Sequence, residues 1–129
     1  MEPALATSPE LLPILAELQA REPIFHTPQF GSTRADYERL MDEAYWEVGA
    51  SGRRYSREFI LNLVTTRPPD PTESSWLTRD FQCREIAPEN YLLTYTLQQG
   101  ARITRRSTLW RRVGSAWRIL YHQGTLVGP

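Results

Sequence analysis

Few groups in this chain could do chemistry near neutral pH. They are two histidines, His26 and His122, one cysteine, Cys83, and a set of carboxylates among which Glu47 stands out for its aromatic surroundings. All fifteen basic residues are Arg and none is Lys, so a Schiff-base or lysine-nucleophile mechanism is excluded. Cys83 has no partner for an internal disulfide and sits in a strand-like run, which reads as a buried small hydrophobe rather than a reactive thiol. No Cys/His cluster has zinc spacing, and neither a metal nor a cofactor is expected. Gly49-Ala50-Ser51-Gly52-Arg53-Arg54 lacks the spaced glycines and the Lys of a phosphate loop and reads as a turn.

Glu47 could serve as a general base if burial raised its pKa toward neutrality. It could equally line a cavity without reacting, or hold a structural ion pair with Arg106. His122 is a second acid–base candidate; the competing reading is a histidine satisfied by Ser107 or placed at a subunit contact. Ser107 and His122 would form a nucleophile–base pair only with a third orienting group, an oxyanion site and a strand-to-helix elbow, and the sequence offers none of these. His26 follows Phe25 between Pro23 and Pro28 and is expected to cap or line a helix junction.

The elements that must position these groups divide the chain in two. Ser8-Pro9-Glu10 has the residue types of a helix start, and Leu11, Leu15 and Leu18 give it one apolar stripe. Ser32 or Thr33 caps a second helix carrying Tyr37, Leu40 and Met41. A short aromatic strand, residues 44–48, stops at Gly49-Ala50-Ser51-Gly52. Ser56 caps a third helix predicted to bury Phe59, Ile60, Leu63 and Val64. A proline-bearing loop at 67–75 follows. From Trp76 onward the pattern is β, with strands near 76–87, 90–98, 102–113 and 116–127 separated by hairpin signals at Pro88-Glu89-Asn90, Gln99-Gly100 and Gly114-Ser115. The fold class is α+β: helices packed on a curved, mainly antiparallel sheet.

Strand side chains alternate between faces, so hairpin register decides which residues meet. With two-residue loops at Gln99-Gly100 and Gly114-Ser115, one face carries Tyr91, Leu93, Tyr95 and Leu97. Arg106, Thr108 and Trp110 join it, followed by Trp117, Ile119, Tyr121, Gln123 and Thr125. Ser107 and His122 fall on the other face, and a bulge in the last strand would bring His122 to the first, because one extra residue reverses the alternation. The first face has more aromatic area and should lie under the helices. A desolvated guanidinium is costly unless paired, so Arg106 either reaches solvent at the rim or shares a cavity with Glu47 and Gln123, flanked by Tyr95, Trp110 and Tyr121. A few polar groups among aromatics is the lining of a small-molecule pocket. Trp46 and Val48, on the opposite face of their strand, would suit dimerisation through the sheet.

At 129 residues the chain is the length of one domain, taken as 1–129. Fifteen basic and fifteen acidic residues cancel, which argues against a nucleic-acid binder. No apolar run nears the ~20 residues that cross a bilayer, and the first residues lack the basic start and apolar core of a secretory signal, so the expected location is cytoplasmic.

The stretch Tyr45-Trp46-Glu47-Val48-Gly49-Ala50-Ser51-Gly52-Arg53, taken with Ser107-Thr108-Leu109-Trp110-Arg111-Arg112 and Trp117-Arg118-Ile119-Leu120-Tyr121-His122-Gln123-Gly124-Thr125, resembles the nuclear transport factor 2-like superfamily. The likeness is to its small bacterial domains of unknown function, relatives of SnoaL-like polyketide cyclases, and runs over roughly residues 10–127. It implies a cone with a cavity at its open end, often paired as a homodimer through the sheet. No His/Asp dyad of the cyclases or dehydratases, and no isomerase-type Asp with a Tyr donor, maps onto this chain. The expectation is a homodimeric domain binding a small apolar molecule, with acid–base isomerase, cyclase or hydrolase-like chemistry as one extension. The alternative is a non-catalytic interaction module.

Overall fold

The computed structural model describes residues 1–128. Its helices are α1 (Leu12–Gln19), α2 (Arg34–Leu40) and α3 (Arg57–Thr66), and its strands are β1 (Met41–Val48), β2 (Arg54–Ser56), β3 (Leu77–Ala87), β4 (Asn90–Gln99), β5 (Arg102–Val113) and β6 (Ala116–Leu126). The strands form one sheet in the order β2-β1-β6-β5-β4-β3, antiparallel except where β1 runs parallel to β6. Helices and sheet thus form the expected α+β arrangement. Among the described residues no helix is long and apolar enough to cross a membrane.

Local sequence explains the helix ends. The Thr33 hydroxyl accepts from Asp36 N at 3.2 Å, and the Asp36 carboxylate accepts from Ser32 N and Thr33 N at 3.0 and 3.1 Å, a reciprocal cap. Those backbone donors hold the Asp36 pKa down to about 2. Ser56 Oγ accepts from Phe59 N at 3.1 Å and opens α3. Ser8 makes no such bond; a 3₁₀ turn over Pro9–Leu11 leads into α1 instead.

Three expectations change. Met41 begins β1 rather than ending α2. α3 buries Ile60, Leu61 and Val64 but leaves Phe59 and Leu63 exposed, because the short strand β2 runs into the helix, and Phe59 stacks on its Tyr55 at 5.0 Å. The β4–β5 turn is Gly100-Ala101, with Gln99 opposite Arg102 and Gly100 at φ 63°, a backbone value that favours glycine. That shift moves the register by an even number of residues and leaves every face assignment intact.

The irregularity that matters lies in β6. Trp110 pairs with Ile119 but Leu109 pairs with Tyr121, so Leu120 is an extra residue in the strand. One inserted residue reverses the alternation beyond it. Trp117 and Ile119 face the core as predicted; past the bulge, His122 and Gly124 turn inward and Tyr121 and Gln123 turn out.

Candidate ligand pocket in the cone

The inner face of the sheet is apolar at one end and polar at the other. On β5 the inward series is Thr104, Arg106, Thr108 and Trp110; on β4 it is Tyr91, Leu93, Tyr95 and Leu97. The segment after α1 closes over them. There Ile24 and Phe25 are buried, and Glu22, between them and the buried Leu18 of α1, is only 6% exposed. Glu22 Oε1 accepts from the Tyr95 hydroxyl at 2.7 Å and from Ile24 N at 3.1 Å, and Oε2 accepts from Trp110 Nε1 at 3.0 Å. Burial nevertheless dominates these donors and lifts the Glu22 pKa to about 7.

The hydroxyl of Thr108 also faces this carboxylate, but its close hydrogen bond, 2.8 Å, is to Nδ1 of His122. His122 is 2% exposed, and burial, reinforced by the charge of Arg106, lowers its pKa to about 3. The ring is therefore neutral at physiological pH. Its other nitrogen, Nε2, lies 3.4 Å from Arg106 Nη1. Arg106 Nε donates in turn to Thr104 Oγ1 at 2.9 Å. A polar row thus runs from Thr108 through His122 and Arg106 to Thr104, with Glu22 set behind its Thr108 end.

The row ends at a cavity of about 150 Å³ lined by Glu47, Arg106, His122, Gln99, His26 and Arg67 together with apolar side chains from α3 and residues 23–25. Glu47 sits opposite His122 in the β1–β6 pairing and accepts from the Tyr45 hydroxyl at 2.6 Å. Burial raises its pKa, opposed by Tyr45 and by the Arg106 charge. The predicted Glu47–Arg106 ion pair does not form: no carboxylate comes within 4.0 Å of the Arg106 guanidinium among the described residues, and burial lowers its pKa. Room for that guanidinium comes from Gly124, its cross-strand neighbour, where an added Cβ would stand 3.4 Å from Arg106 Cζ. At the rim, Arg67 donates to His26 Nε2 at 3.3 Å and to the Phe25 carbonyl, His26 Nδ1 lies 3.3 Å from Glu73, and the imidazole packs edge-on to Trp76. Phe25 adopts φ 65°, an unusual backbone for a bulky residue, at the point where this rim is pinned.

Of the residues read from sequence, Glu47, Tyr95, Arg106 and Trp110 share the inner face, Glu47 and Arg106 lining the cavity and Tyr95 and Trp110 holding Glu22 behind it. Tyr121 and Gln123 do not; the β6 bulge places them outside, where the Tyr121 hydroxyl donates to Gln123 at 2.7 Å and its ring packs on Trp46. The same bulge brings His122 in and parts it from Ser107, so the histidine's partner is Thr108. Ser107 and Gln123 line a second groove of about 760 Å³ beneath Glu2, Pro3 and Leu5, which Tyr95 and Arg106 also border. That N-terminal segment is tethered by Thr7 to Gln82 at 2.8 Å and to Cys83 N at 3.0 Å, and by Glu2 to Arg105 at 3.3 Å. Cys83 is buried, which raises its thiol pKa to about 11 and leaves it inert. Among the described residues no group of three His, Cys, Asp or Glu stands together to hold a metal ion.

Glu22 escaped the sequence reading. Its one signal is position: a carboxylate between Leu18 and Ile24-Phe25, all core residues, in the irregular segment just past the end of α1.

No family model and no curated protein matches this chain. Solved structures do. A protein with unknown function from the DUF3225 family of Pectobacterium atrosepticum has TM-score 0.66 at 19% identity, covering 95% of this chain and 100% of its own. An NTF2-like protein from Cytophaga hutchinsonii has TM-score 0.61 at 12% identity, covering 88% and 95%. The CamKII hub homology domain of Chlamydomonas reinhardtii has TM-score 0.61 at 15% identity, covering 89% and 98%. The fold is nuclear transport factor 2-like, the cone that the sequence resemblance implied.

Proposed function

We propose that this domain binds a small anion, a carboxylate-bearing molecule of a few heavy atoms, in the cone beside Arg106. The observation that carries this reading is a largely buried guanidinium without a carboxylate partner among the described residues. Such a charge is expensive unless something in the site compensates it, and a carboxylate is the natural fork partner. Supporting features are Arg67 at the mouth, the uncharged His122 and the space left by Gly124. A cavity of about 150 Å³ is below the ~300 Å³ at which drug-sized sites begin, so the occupant is small. The two guanidinium groups in the lining, Arg106 and Arg67, favour an anion over the apolar ligand that aromatic content predicts. Glu47, the carboxylate on the wall, is the group placed to exchange a proton with the bound molecule. A cytoplasmic setting, where a lone buried thiol stays reduced, belongs to the same proposal.

Calorimetry or ligand-observed NMR against two- to five-carbon carboxylates tests it. Arg106→Gln keeps a hydrogen-bonding side chain but removes the charge and should weaken binding at least about tenfold, the worth of one charge-assisted hydrogen bond. Gln123→Ala, on the outer face, should leave affinity unchanged. Equal binding by wild type and Arg106→Gln would end the proposal.

A second reading concerns assembly. Trp46 is 44% exposed on the outer face and packs against Tyr121 at 4.9 Å, an aromatic pair open to solvent. The hub homology domain shares the fold, and we propose that this face pairs two copies as a homodimer. Light scattering should then give a dimer for wild type and a monomer for Trp46→Arg; a wild-type monomer at high concentration would remove this reading without touching the cavity.

A further inference from the structure

On the anion reading above, we infer that the occupant is a short amino acid, its carboxylate on Arg106 and its ammonium on Glu47. Two opposite charges that line one cavity without meeting each other carry this step.

Glu47 and Arg106 both line the cavity of about 150 Å³, yet their charged groups stand more than 4.0 Å apart. The sheet keeps them so. Glu47 lies on β1 opposite His122 of β6, and Arg106 lies on β5 opposite Gly124 of β6. One strand therefore runs between them, which parts their backbones by two strand spacings, about 10 Å. Their partners are two residues apart along β6, which adds about 7 Å in the strand direction. Only the lengths of the two side chains narrow that gap. At Gly124 the intervening strand presents no side chain, and an added Cβ would stand 3.4 Å from Arg106 Cζ.

Each charged group keeps an unfilled half. The Tyr45 hydroxyl donates to Glu47 Oε1 at 2.6 Å, and no donor among the described residues reaches Oε2. Arg106 Nε donates to Thr104 at 2.9 Å and Nη1 lies 3.4 Å from His122 Nε2, while Nη2 has no acceptor among the described residues. Tyr45 and Thr104 thus hold the two headgroups in place before a ligand arrives, which lowers the cost of ordering them on binding.

A plain carboxylate satisfies only one of these groups. In so small a space an anion on Arg106 stands within about 10 Å of the Glu47 carboxylate, where like charges at an effective dielectric of about 20 weaken binding roughly tenfold or more. An ammonium on the same molecule reverses the sign. It brings three N–H donors and the opposite charge to Glu47, while the carboxylate meets the Arg106 fork. Burial, which pushes the Glu47 pKa up against the pull of Tyr45 and Arg106, marks the same shortage of positive charge at this wall. The mouth admits such a molecule, because Arg67 and Glu73 flank His26 there, one of each sign.

Calorimetry on the full chain at neutral pH tests this by pairing each amino acid with the carboxylate in which methyl replaces ammonium: glycine with propionate, β-alanine with butyrate. Wild type should bind the better amino acid at least about tenfold more tightly than its methyl counterpart, the worth of one charge-assisted hydrogen bond. Glu47→Gln keeps an acceptor for the Tyr45 hydroxyl but removes the charge. It should invert the preference, the amino acid weakening about tenfold and the plain carboxylate tightening. Misfolding would weaken both together, and the wild-type pairs decide the matter alone if the variant does not fold. Propionate and butyrate bound as tightly as their amino counterparts, and lost in Arg106→Gln, overturn the amino-acid assignment and leave the anion site standing. A preference for the amino acid that survives Glu47→Gln overturns it as well. No binding by any of the four, or binding indifferent to Arg106→Gln, ends the anion reading with it.

Discussion

Trp110→Ala is expected to cost about 3–5 kcal/mol, a large share of the ~5–15 kcal/mol that holds a domain together, and to leave the protein partly unfolded at 37 °C. The indole is fully buried and meets Trp117 edge-to-face at 6.4 Å, so its removal opens a void across the middle of the sheet. It also takes away the one donor within hydrogen-bond distance of Glu22 Oε2 among the described residues, and a buried carboxylate that loses a partner carries the full desolvation penalty of that oxygen. Trp110→Phe separates the two effects. The phenyl ring keeps most of the packing, so the residual loss, about 1–3 kcal/mol, reports the missing N–H and should shrink below pH 6, where Glu22 is protonated. Urea melts with unchanged slope would show the same cooperative unit unfolding. Equal losses for the Phe and Ala variants would mean that packing around Trp110 is unimportant, contrary to its burial.

The reason a tryptophan, a tyrosine and a main-chain N–H converge on one acid explains what was legible in the chain and what was not. Alternation along β4 and β5 is regular, so the inward set Tyr91, Leu93, Tyr95, Leu97, Arg106, Thr108 and Trp110 could be read directly, and even a misplaced turn did no harm because it moved the register by an even step. The fold resemblance rested on residues 45–53, 107–112 and 117–125, of which only the second set lies in these regular strands. β6 was different. Nothing in Ile119-Leu120-Tyr121 marks Leu120 as extra: there is no glycine or proline, and each residue is a good strand former. The bulge is decided by how β6 must bend to pair with both β5 and a parallel β1. That single residue exchanged His122 for Tyr121 and Gln123 at the cavity. Glu22 was hidden for a related reason. Its role depends on where an irregular segment crosses the sheet, and periodicity describes only the regular parts.

Opposite titrations at Glu22 and His122 should produce a stability profile that neither residue would give alone. Glu22 has a folded pKa of about 7 against 4.5 for the free side chain. The folded state therefore binds its proton more tightly, and stability falls as pH rises from 4.5 to 7, by roughly 3 kcal/mol at ~1.4 kcal/mol per unit. His122 is the reverse. Its folded pKa of about 3 lies below the ordinary 6.5, so the unfolded chain holds more protons through that interval. Stability rises with pH across it, by about 5 kcal/mol. Between pH 4.5 and 6.5 the slopes oppose and wild type should be nearly flat; it should weaken steeply below 4.5, where only His122 acts, and modestly from 6.5 to 7, where only Glu22 does. Two variants separate the contributions. Glu22→Gln should gain stability continuously from pH 3 to 6.5 and show no decline above it. His122→Asn should lose about 3 kcal/mol between pH 4.5 and 7 and be spared the steep acid limb. Denaturant melts at half-unit pH steps would resolve all three profiles. A wild-type curve that climbs through pH 5–6 as steeply as Glu22→Gln would mean that Glu22 is ionised throughout, and the buried carboxylate would then be a fixed charge rather than a group that titrates near neutrality.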